Sequence, residues 1–465
     1  MLHEKDIRRA VKQISAKNSL INKTDEEIHC IVKTVCIDIS TRNYDFSKTD
    51  ALSLNQGGKK RYIKQFADIY STENVLCQCV KHILDKVFQV KYPNRNKTIS
   101  ELFSVLSTIK QMSDFTIIRF DFRNYFNSVS SPYVFEKYIK TKLMSRFEID
   151  LVCDFVNKTK YAYAGLVTSN VIAEIAARHF DDIIRSAFRS RGVVFFERYI
   201  DDGVIILNEH TTEDECLQIL SDAVEHIFKD NLVMSIPKCK TKLNNAKFKH
   251  ITKKCLVNTP TVFDYLGYEF SLAKSINNKG KEVINLLYGI TVSKQEKYKG
   301  RVRKLIRFYT DFDSPSYNNL ELLRHRIAAF TTRTVYQGKK FRSDVWKVKG
   351  FISNYGELRY LLETDCINTD TINFLKNMII ETFTDEGVPL PAFLNNSTNK
   401  TGYNLYQNMR KNKTLLLVER IGYSYEALKG LCEKIGISHI YSNGKKRSYH
   451  NLAKKYLFEV MVGYK

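Results

Sequence analysis

The chain has 465 residues, 43% of them hydrophobic, enough for roughly two to three domains with full cores. Seventy-three Lys and Arg stand against fifty Asp and Glu, and a net charge of +23 points to a polyanionic partner. No apolar run approaches the roughly 18 residues of a membrane span, and Met1-Leu2-His3-Glu4-Lys5-Asp6 begins charged rather than as a signal peptide, so a cytoplasmic protein is expected. The ten cysteines are scattered without zinc spacing and read as reduced thiols.

In chain order, residues 1–50 carry Ile7, Val11 and Ile14 at helical spacing. A basic run follows, Gln56-Gly57-Gly58-Lys59-Lys60-Arg61-Tyr62-Ile63-Lys64-Gln65, then a helix from about Glu73 to Val90. After the turn at Tyr92-Pro93-Asn94, Ile99 to Lys110 reads as another helix. Phe115-Thr116-Ile117-Ile118-Arg119-Phe120 is strand-like and leads into Asp121, followed by Phe122-Arg123-Asn124-Tyr125-Phe126. Gly165 permits a close backbone approach, and Ser169 is placed to cap a helix whose stripe runs through Ile172, Ile175, Ala176, His179, Phe180 and Ile183. Thr212 to Phe228 reads as a helix, and Leu232 to Ile236 as a strand leading to Pro237-Lys238-Cys239-Lys240-Thr241.

Between those helices lies Val193-Val194-Phe195-Phe196-Glu197-Arg198-Tyr199-Ile200-Asp201-Asp202-Gly203-Val204-Ile205-Ile206-Leu207. Two Val/Ile/Phe runs flanking Asp-Asp-Gly predict a tight β-hairpin, and taken alone that turn is a surface turn. Adjacent carboxylates behind a Tyr also suit a divalent cation, because Mg²⁺ takes carboxylate and phosphate oxygens. A third carboxylate at the end of a separate strand, Asp121, favours the metal reading.

A strand, an Asp, a pair of aromatics and then a Tyr-x-Asp-Asp hairpin resembles the palm of reverse transcriptases. The resemblance covers roughly residues 55–275 and rests on the order of its blocks. It implies that Asp121, Asp201 and Asp202 are catalytic, that Asp121 and Asp201 hold two Mg²⁺ ions (or Mn²⁺) with the Phe122 carbonyl beside them, and that Asp202 supports the site. Such ions sit roughly 3.5–4 Å apart, one activating a 3′-oxygen and one steadying pyrophosphate. It further implies that Lys60, Arg61 and Lys64 grip the triphosphate from the fingers, Arg61 foremost. Phe126 would be the steric gate against a ribose 2′-hydroxyl, although an aromatic closing a core fits the residue nearly as well. Gly165, Ser169 and Tyr199 would line the nucleotide site, Lys240 would approach pyrophosphate, and Leu266-Gly267 within Phe263-Asp264-Tyr265-Leu266-Gly267-Tyr268 resembles the primer grip.

Most reverse transcriptases have Gln before this Gly and Pro after this Ser, where Ala164 and Asn170 stand here. The form Gly165-Leu166-Val167-Thr168-Ser169-Asn170-Val171-Ile172-Ala173-Glu174 resembles instead the abortive-infection and defence-associated enzymes of bacteria. That group implies deoxynucleotide addition, templated by RNA (a template or an associated non-coding RNA) or untemplated, with DNA as product and a homo-oligomeric assembly. Beyond about residue 290 the pattern turns helical. Lys297 to Arg307 is a basic run in which Arg303, Lys304 and Arg307 are candidate nucleic-acid contacts, against the alternative of a solvated face. Ser424-Tyr425-Glu426-Ala427-Leu428 and Ser448-Tyr449-His450-Asn451-Leu452 repeat a capped helix start with an inward Tyr and Leu. The expected fold is α+β, a right-hand polymerase: N-terminal helices and fingers over 1–114, palm over 115–285 with a finger insertion at about 130–165, and an α-helical thumb-like domain over 286–465. An RNA-dependent RNA polymerase, or an inactive palm serving as a nucleic-acid scaffold, are the rival readings.

Overall fold

The alternation of side chains along one strand organises the N-terminal part of the molecule. The structure is a computed structural model that describes residues 2–17, 23–56, 59–228, 241–278, 280–311, 319–340, 343–395 and 402–461. The chain divides into two compact units, Met1–Cys255 and Leu256–Lys465. Among the described residues no helix is long and apolar enough to cross a membrane.

The first unit begins with α1 (Glu4–Lys17), α2 (Asp25–Thr41) and an antiparallel ribbon of β1 (Asp50–Gln56) and β2 (Lys59–Gln65). Thr24 and Glu27 close a reciprocal capping box at the start of α2. Next come α3 (Thr72–Phe88), α4 (Arg95–Thr108) and β3 (Thr116–Arg123), the strand predicted to end in Asp121. Short helices α5 (Tyr125–Ser128) and α6 (Ser131–Val134) lead to α7 (Arg146–Thr159) and α8 (Ser169–Ala187). The hairpin β4 (Val193–Tyr199) and β5 (Asp202–Leu207), α9 (Glu213–Phe228), β6 (Lys242–Leu243) and β7 (Lys249–Thr252) complete the unit.

β3 lies inside an antiparallel sheet: β5 flanks one side, with β4 beyond it, while β6 and β7 pair with the other side. Successive side chains on a strand point to opposite faces. Ile118, Phe120 and Phe122 therefore share one face and join the buried core, the Phe120 and Phe122 rings meeting Phe180 of α8 and the Phe122 ring also Phe228 of α9, at 5.2–5.8 Å. Each such ring contributes about 1.5–3 kcal/mol when taken out of water. Ile117, Arg119 and Asp121 share the other face. The core that packs the helices onto the sheet thus also decides where Asp121 points.

The second unit opens with an antiparallel sheet of β8 (Thr261–Tyr265), β9 (Tyr268–Ile276) and β10 (Glu282–Ile290), with β9 in the middle. Helices α10 (Val292–Thr310) and α11 (Leu320–Thr331) follow. A second sheet has β11 (Arg333–Lys340) between antiparallel β12 (Ser343–Lys349) and parallel β13 (Thr414–Leu417). Between β12 and β13 run α12 (Phe351–Asn354), α13 (Thr369–Asp385), α14 (Ala392–Asn395) and α15 (Leu405–Arg410); α16 (Tyr425–Lys434) and α17 (Tyr449–Val460) end the unit.

The strands β11, β12 and β13 lie within the span, 286–465, that was expected to be an α-helical domain. Arg333-Thr334-Val335-Tyr336 and Trp346-Lys347-Val348 carry the β-branched and aromatic residues that suit a pleated surface. The compact units also divide earlier than the expected palm end at residue 285, because β8, β9 and β10 pair with one another. The repeated helix starts do form as expected: Ser424 accepts from the Ala427 amide, Ser448 from the Asn451 amide, and Leu428 and Leu452 are fully buried. The strand expected over Leu232 to Ile236 lies outside the described residues.

Candidate active site

The two strands that carry the carboxylates are neighbours, and their register sets Asp121 opposite Asp202. Cross-strand partners on one face come within about 5 Å of each other, so two carboxylates share a small volume. Asp201 sits at the hairpin tip, and its carbonyl accepts from the Phe122 amide at 2.9 Å, tying the tip to the residue after Asp121. Asp121 is buried at 4% exposure.

The turn itself differs from the sequence expectation. Tyr199 pairs with Asp202, so the two turn residues are Ile200 and Asp201, and Asp202-Gly203 already belong to β5. Ile200 takes φ of +63°, a conformation that a β-branched residue rarely adopts and that costs about 1–3 kcal/mol. Gly203 serves packing instead of the turn: it faces Phe120 across the ladder, and a Cβ there would run into that ring.

Side chains that the sequence reading did not single out hold this site together. Arg198, 7% exposed, forks onto both oxygens of Asp181 at 2.8 and 2.9 Å and onto both of Glu174 at 2.9 and 3.1 Å. Its Nη1 also donates to the Ile200 carbonyl at 2.6 Å. Burial pulls the guanidinium toward neutrality, but Asp181 and Glu174 more than reverse that and hold its pKa well above the usual arginine value. Burial pushes the Asp181 carboxyl up while Arg198 pulls it down; the fork-on-fork geometry is that of the ionised pair. The strained tip is thereby anchored to α8.

Arg119, 1% exposed, lies beneath the carboxylates. Its Nη1 donates to the Lys247 carbonyl at 2.8 Å, and its Nη2 stands 3.0 Å from Asp202 Oδ1. That second approach is a charge pair without hydrogen-bond alignment, since the buried Asp202 Oδ1 has no hydrogen-bond partner among the described residues. Burial pushes the Asp202 carboxyl up to about 7, opposed by Arg119 and assisted by the nearby Asp121 and Asp201. Asp121 is held from the other side: Asn244 Nδ2 donates to Oδ1 at 2.9 Å and Lys247 Nζ reaches Oδ2 at 2.6 Å. Arg119 was legible as a charge inside an apolar strand. Asn244 and Lys247 carried no sequence signal.

Among the described residues no group of three or more His, Cys, Asp or Glu is arranged to hold a metal ion. The donor set nevertheless fits a hard divalent cation in kind. Asp121 and Asp202 are carboxylates on paired register positions with Asp201 at the adjoining tip, the Phe122 carbonyl adds a further oxygen, and the buried Asp202 Oδ1 lacks a hydrogen-bond partner among the described residues.

The remaining predicted residues fall as follows. Lys60 and Arg61 lie on the backbone of β2, but their side chains, and the whole of Lys240, are outside the described residues. Lys64 donates its amide to the Ala164 carbonyl at 2.8 Å, and its ammonium lies 4.3 Å from the centre of the Tyr163 ring. Gly165, at φ +104°, makes its close approach to the Lys64 carbonyl, where any Cβ would collide. Ser169 does not cap α8; it is that helix's first residue, 3% exposed, and its hydroxyl donates back to the Tyr163 carbonyl. Phe126 on α5 is partly buried against the core, next to Tyr125 at 5.6 Å between ring centres.

In the second unit, Leu266 and Gly267 form a two-residue turn with φ of +50° and +86°, the tight turn expected between Tyr265 and Tyr268. On α10, Arg303 lies against Glu296, Asp385 and Glu386 at 3.5–3.9 Å, and Arg307 against Glu386 at 3.0 Å. These two cations are therefore engaged by acids of α10 and of the end of α13, whereas Lys304 is exposed and has no such pair among the described residues.

Residues 54–270 match the family model described as reverse transcriptase (RNA-dependent DNA polymerase). Among solved structures, the apo telomerase of Candida tropicalis, truncated from its C-terminal domain, is 12% identical with a TM-score of 0.31, over 49% of this chain and 53% of that one. The telomerase of Candida albicans in complex with the TWJ fragment of telomeric RNA is 11% identical with a TM-score of 0.38, over 84% and 62%. The chain thus spans less than two thirds of either telomerase, and TM-scores below 0.5 are too low to transfer anything from them. No curated protein matches the chain. The matched span contains the β3 carboxylate, the hairpin and the sheet that brings them together, and a reverse transcriptase domain is present over residues 54–270.

Proposed function

We propose that this protein adds deoxynucleotides to a 3′ end by metal-assisted phosphoryl transfer, with Asp121 and Asp201 as ligands of two Mg²⁺ (or Mn²⁺) ions and Asp202 in support. The observation that carries the reading is the placement of Asp121 directly opposite Asp202, with Asp201 at the adjoining tip, inside a matched reverse transcriptase domain. When bound, the ions would activate the attacking oxygen and steady pyrophosphate. The protein's own part is to hold the carboxylates. Arg119 partly balances Asp202 from below, Asn244 orients Asp121, and Arg198 fixes the hairpin tip so that Asp201 keeps its place beside Phe122. Phe126 is assigned to the sugar gate, Lys60, Arg61, Lys64, Gly165, Ser169, Tyr199 and Lys240 to the nucleotide site, and Leu266-Gly267 to the primer. The buried Ser169 and the Gly165 contact favour a bracing role for those two, which link β2 to the start of α8.

We further place the protein in bacterial antiphage defence of the abortive-infection kind, acting in the cytoplasm as a homo-oligomer on RNA and DNA. The Gly-x-x-Thr-Ser-Asn-x-x-Ala-Glu form supports the group, and the net charge of +23 supports the polyanionic partner. The test is to purify the protein with whatever nucleic acid it retains, supply each nucleotide with Mg²⁺, and sequence the product. DNA, templated or not, supports the reading; RNA alone, or no product, contradicts it.

A further inference from the structure

Two cations face the carboxylates, and they differ in their freedom to leave. Arg119 is 1% exposed and fixed at both ends of its guanidinium, to the Lys247 carbonyl and beside Asp202. The Lys247 side chain is 41% exposed, while the Asp121 carboxylate it meets at 2.6 Å is 5% exposed. The backbone under Lys247 is pinned: the Asn244 amide donates to the Asp121 carbonyl at 2.8 Å, and the Lys247 amide closes a single 3₁₀ turn back to Asn244 at 2.8 Å. Only the flexible four-carbon stem of Lys247 is left to move.

A buried carboxylate is costly without a cation. We propose that Lys247 is the exchangeable counter-ion of Asp121: its ammonium occupies Oδ2 when no divalent cation is bound, and it must give up that oxygen for the cation to bind. Taking as given the proposed role of Asp121 as a metal ligand, Lys247 makes metal entry a competition at one carboxylate oxygen. Ammonium and metal repel one another when both approach Oδ2, so each weakens the other's hold on that oxygen. Asn244, which is neutral and holds Oδ1, keeps the carboxylate oriented during the exchange.

The experiment measures Mn²⁺ binding to the full chain without nucleotide, by the loss of the free-ion paramagnetic resonance signal. It compares wild type with Lys247→Met, Lys247→Gln, Lys247→Arg and Asp121→Asn. Lys247→Met and Lys247→Gln should bind Mn²⁺ about tenfold more tightly than wild type, as expected if a contact of ~1.4 kcal/mol no longer competes. Lys247→Arg, which keeps a charge, should stay near wild type. Before metal is added the two neutral variants should melt below wild type, and they should gain more on adding Mn²⁺. If both neutral variants bind equally or more weakly while Asp121→Asn still removes the site, the exchange proposal is wrong and the metal reading stands. If Asp121→Asn leaves wild-type affinity intact, the metal reading fails and the exchange falls with it.

Discussion

Arg198 donates to the carbonyl of Ile200 at 2.6 Å, one residue before Asp201, while the rest of its guanidinium is forked onto Asp181 and Glu174 of α8. The bond spans a turn held at positive φ by a β-branched residue, so the hairpin tip depends on a buried charge network. Removing one member of such a network leaves uncompensated charge and costs about 3–5 kcal/mol. Arg198→Met should lose stability of that order in urea denaturation, and Arg198→Lys, which keeps the charge without the fork, should recover only part of it. A loss under about 1 kcal/mol for Arg198→Met would mean that the network does not hold the hairpin.

Gly203 offers a second test of the same strand pair. A methyl group there meets the Phe120 ring in a packed core. Gly203→Ala should destabilise the first unit by about 1–3 kcal/mol through overpacking. Adding Phe120→Leu should relieve part of that cost, and a double variant whose losses merely add would show that the two side chains do not collide.

The second unit carries a pH dependence of defined sign. His325 on α11 is buried, its Nδ1 lies 2.8 Å from the Tyr456 hydroxyl of α17, and burial lowers its pKa below 6.5 against the opposite pull of Glu321; Arg324 and Lys434 also lower it. The unfolded chain therefore takes up the proton first. The stability tied to a neutral His325 is present above 6.5 and is lost as pH falls from there through the folded value. In thermal melts between about pH 7.5 and about pH 5, His325→Gln should lose less stability than wild type. Equal acid losses in both would remove His325 from the account.

The proposed sugar gate is tested through Phe126. Phe126→Ala should accept ribonucleotides far better, by tenfold or more (about 1.4 kcal/mol of discrimination), with deoxynucleotide use less affected. Incorporation of each nucleotide type by the folded variant checks it. An unchanged preference would move the gate elsewhere and favour the RNA polymerase reading.

The sheet and its carboxylates were legible because strands read with period two: once Phe120 and Phe122 are inward, Asp121 must face the other way. The turn was misplaced because Asp-Asp-Gly carries turn residues, whereas Gly203 answers to a ring on the next strand and the strained Ile200 makes the bend. Arg198 was hidden because its partners lie 17 and 24 residues earlier, on a helix whose apolar stripe drew the reading. Ser169 had the residue type of a cap but lies one position inside the helix, bonded backward to Tyr163. In the second unit, no spacing in the sequence announced that Arg333–Lys340 would pair in parallel with the distant Thr414–Leu417. The basic run on α10 was visible, but the acids of α13 that answer it were not.

The most direct measurement is nucleotide incorporation by Asp121→Ala and Asp201→Ala beside wild type, with Mg²⁺ and the nucleic acid that copurifies, and circular dichroism as a check on folding. Each variant removes a carboxylate from the oxygen set built by β3 and the hairpin tip. The account predicts that both lose incorporation, by at least roughly a thousandfold, about 4 kcal/mol of transition-state stabilisation, while remaining folded. Wild-type incorporation by either folded variant would contradict the assignment of the active site.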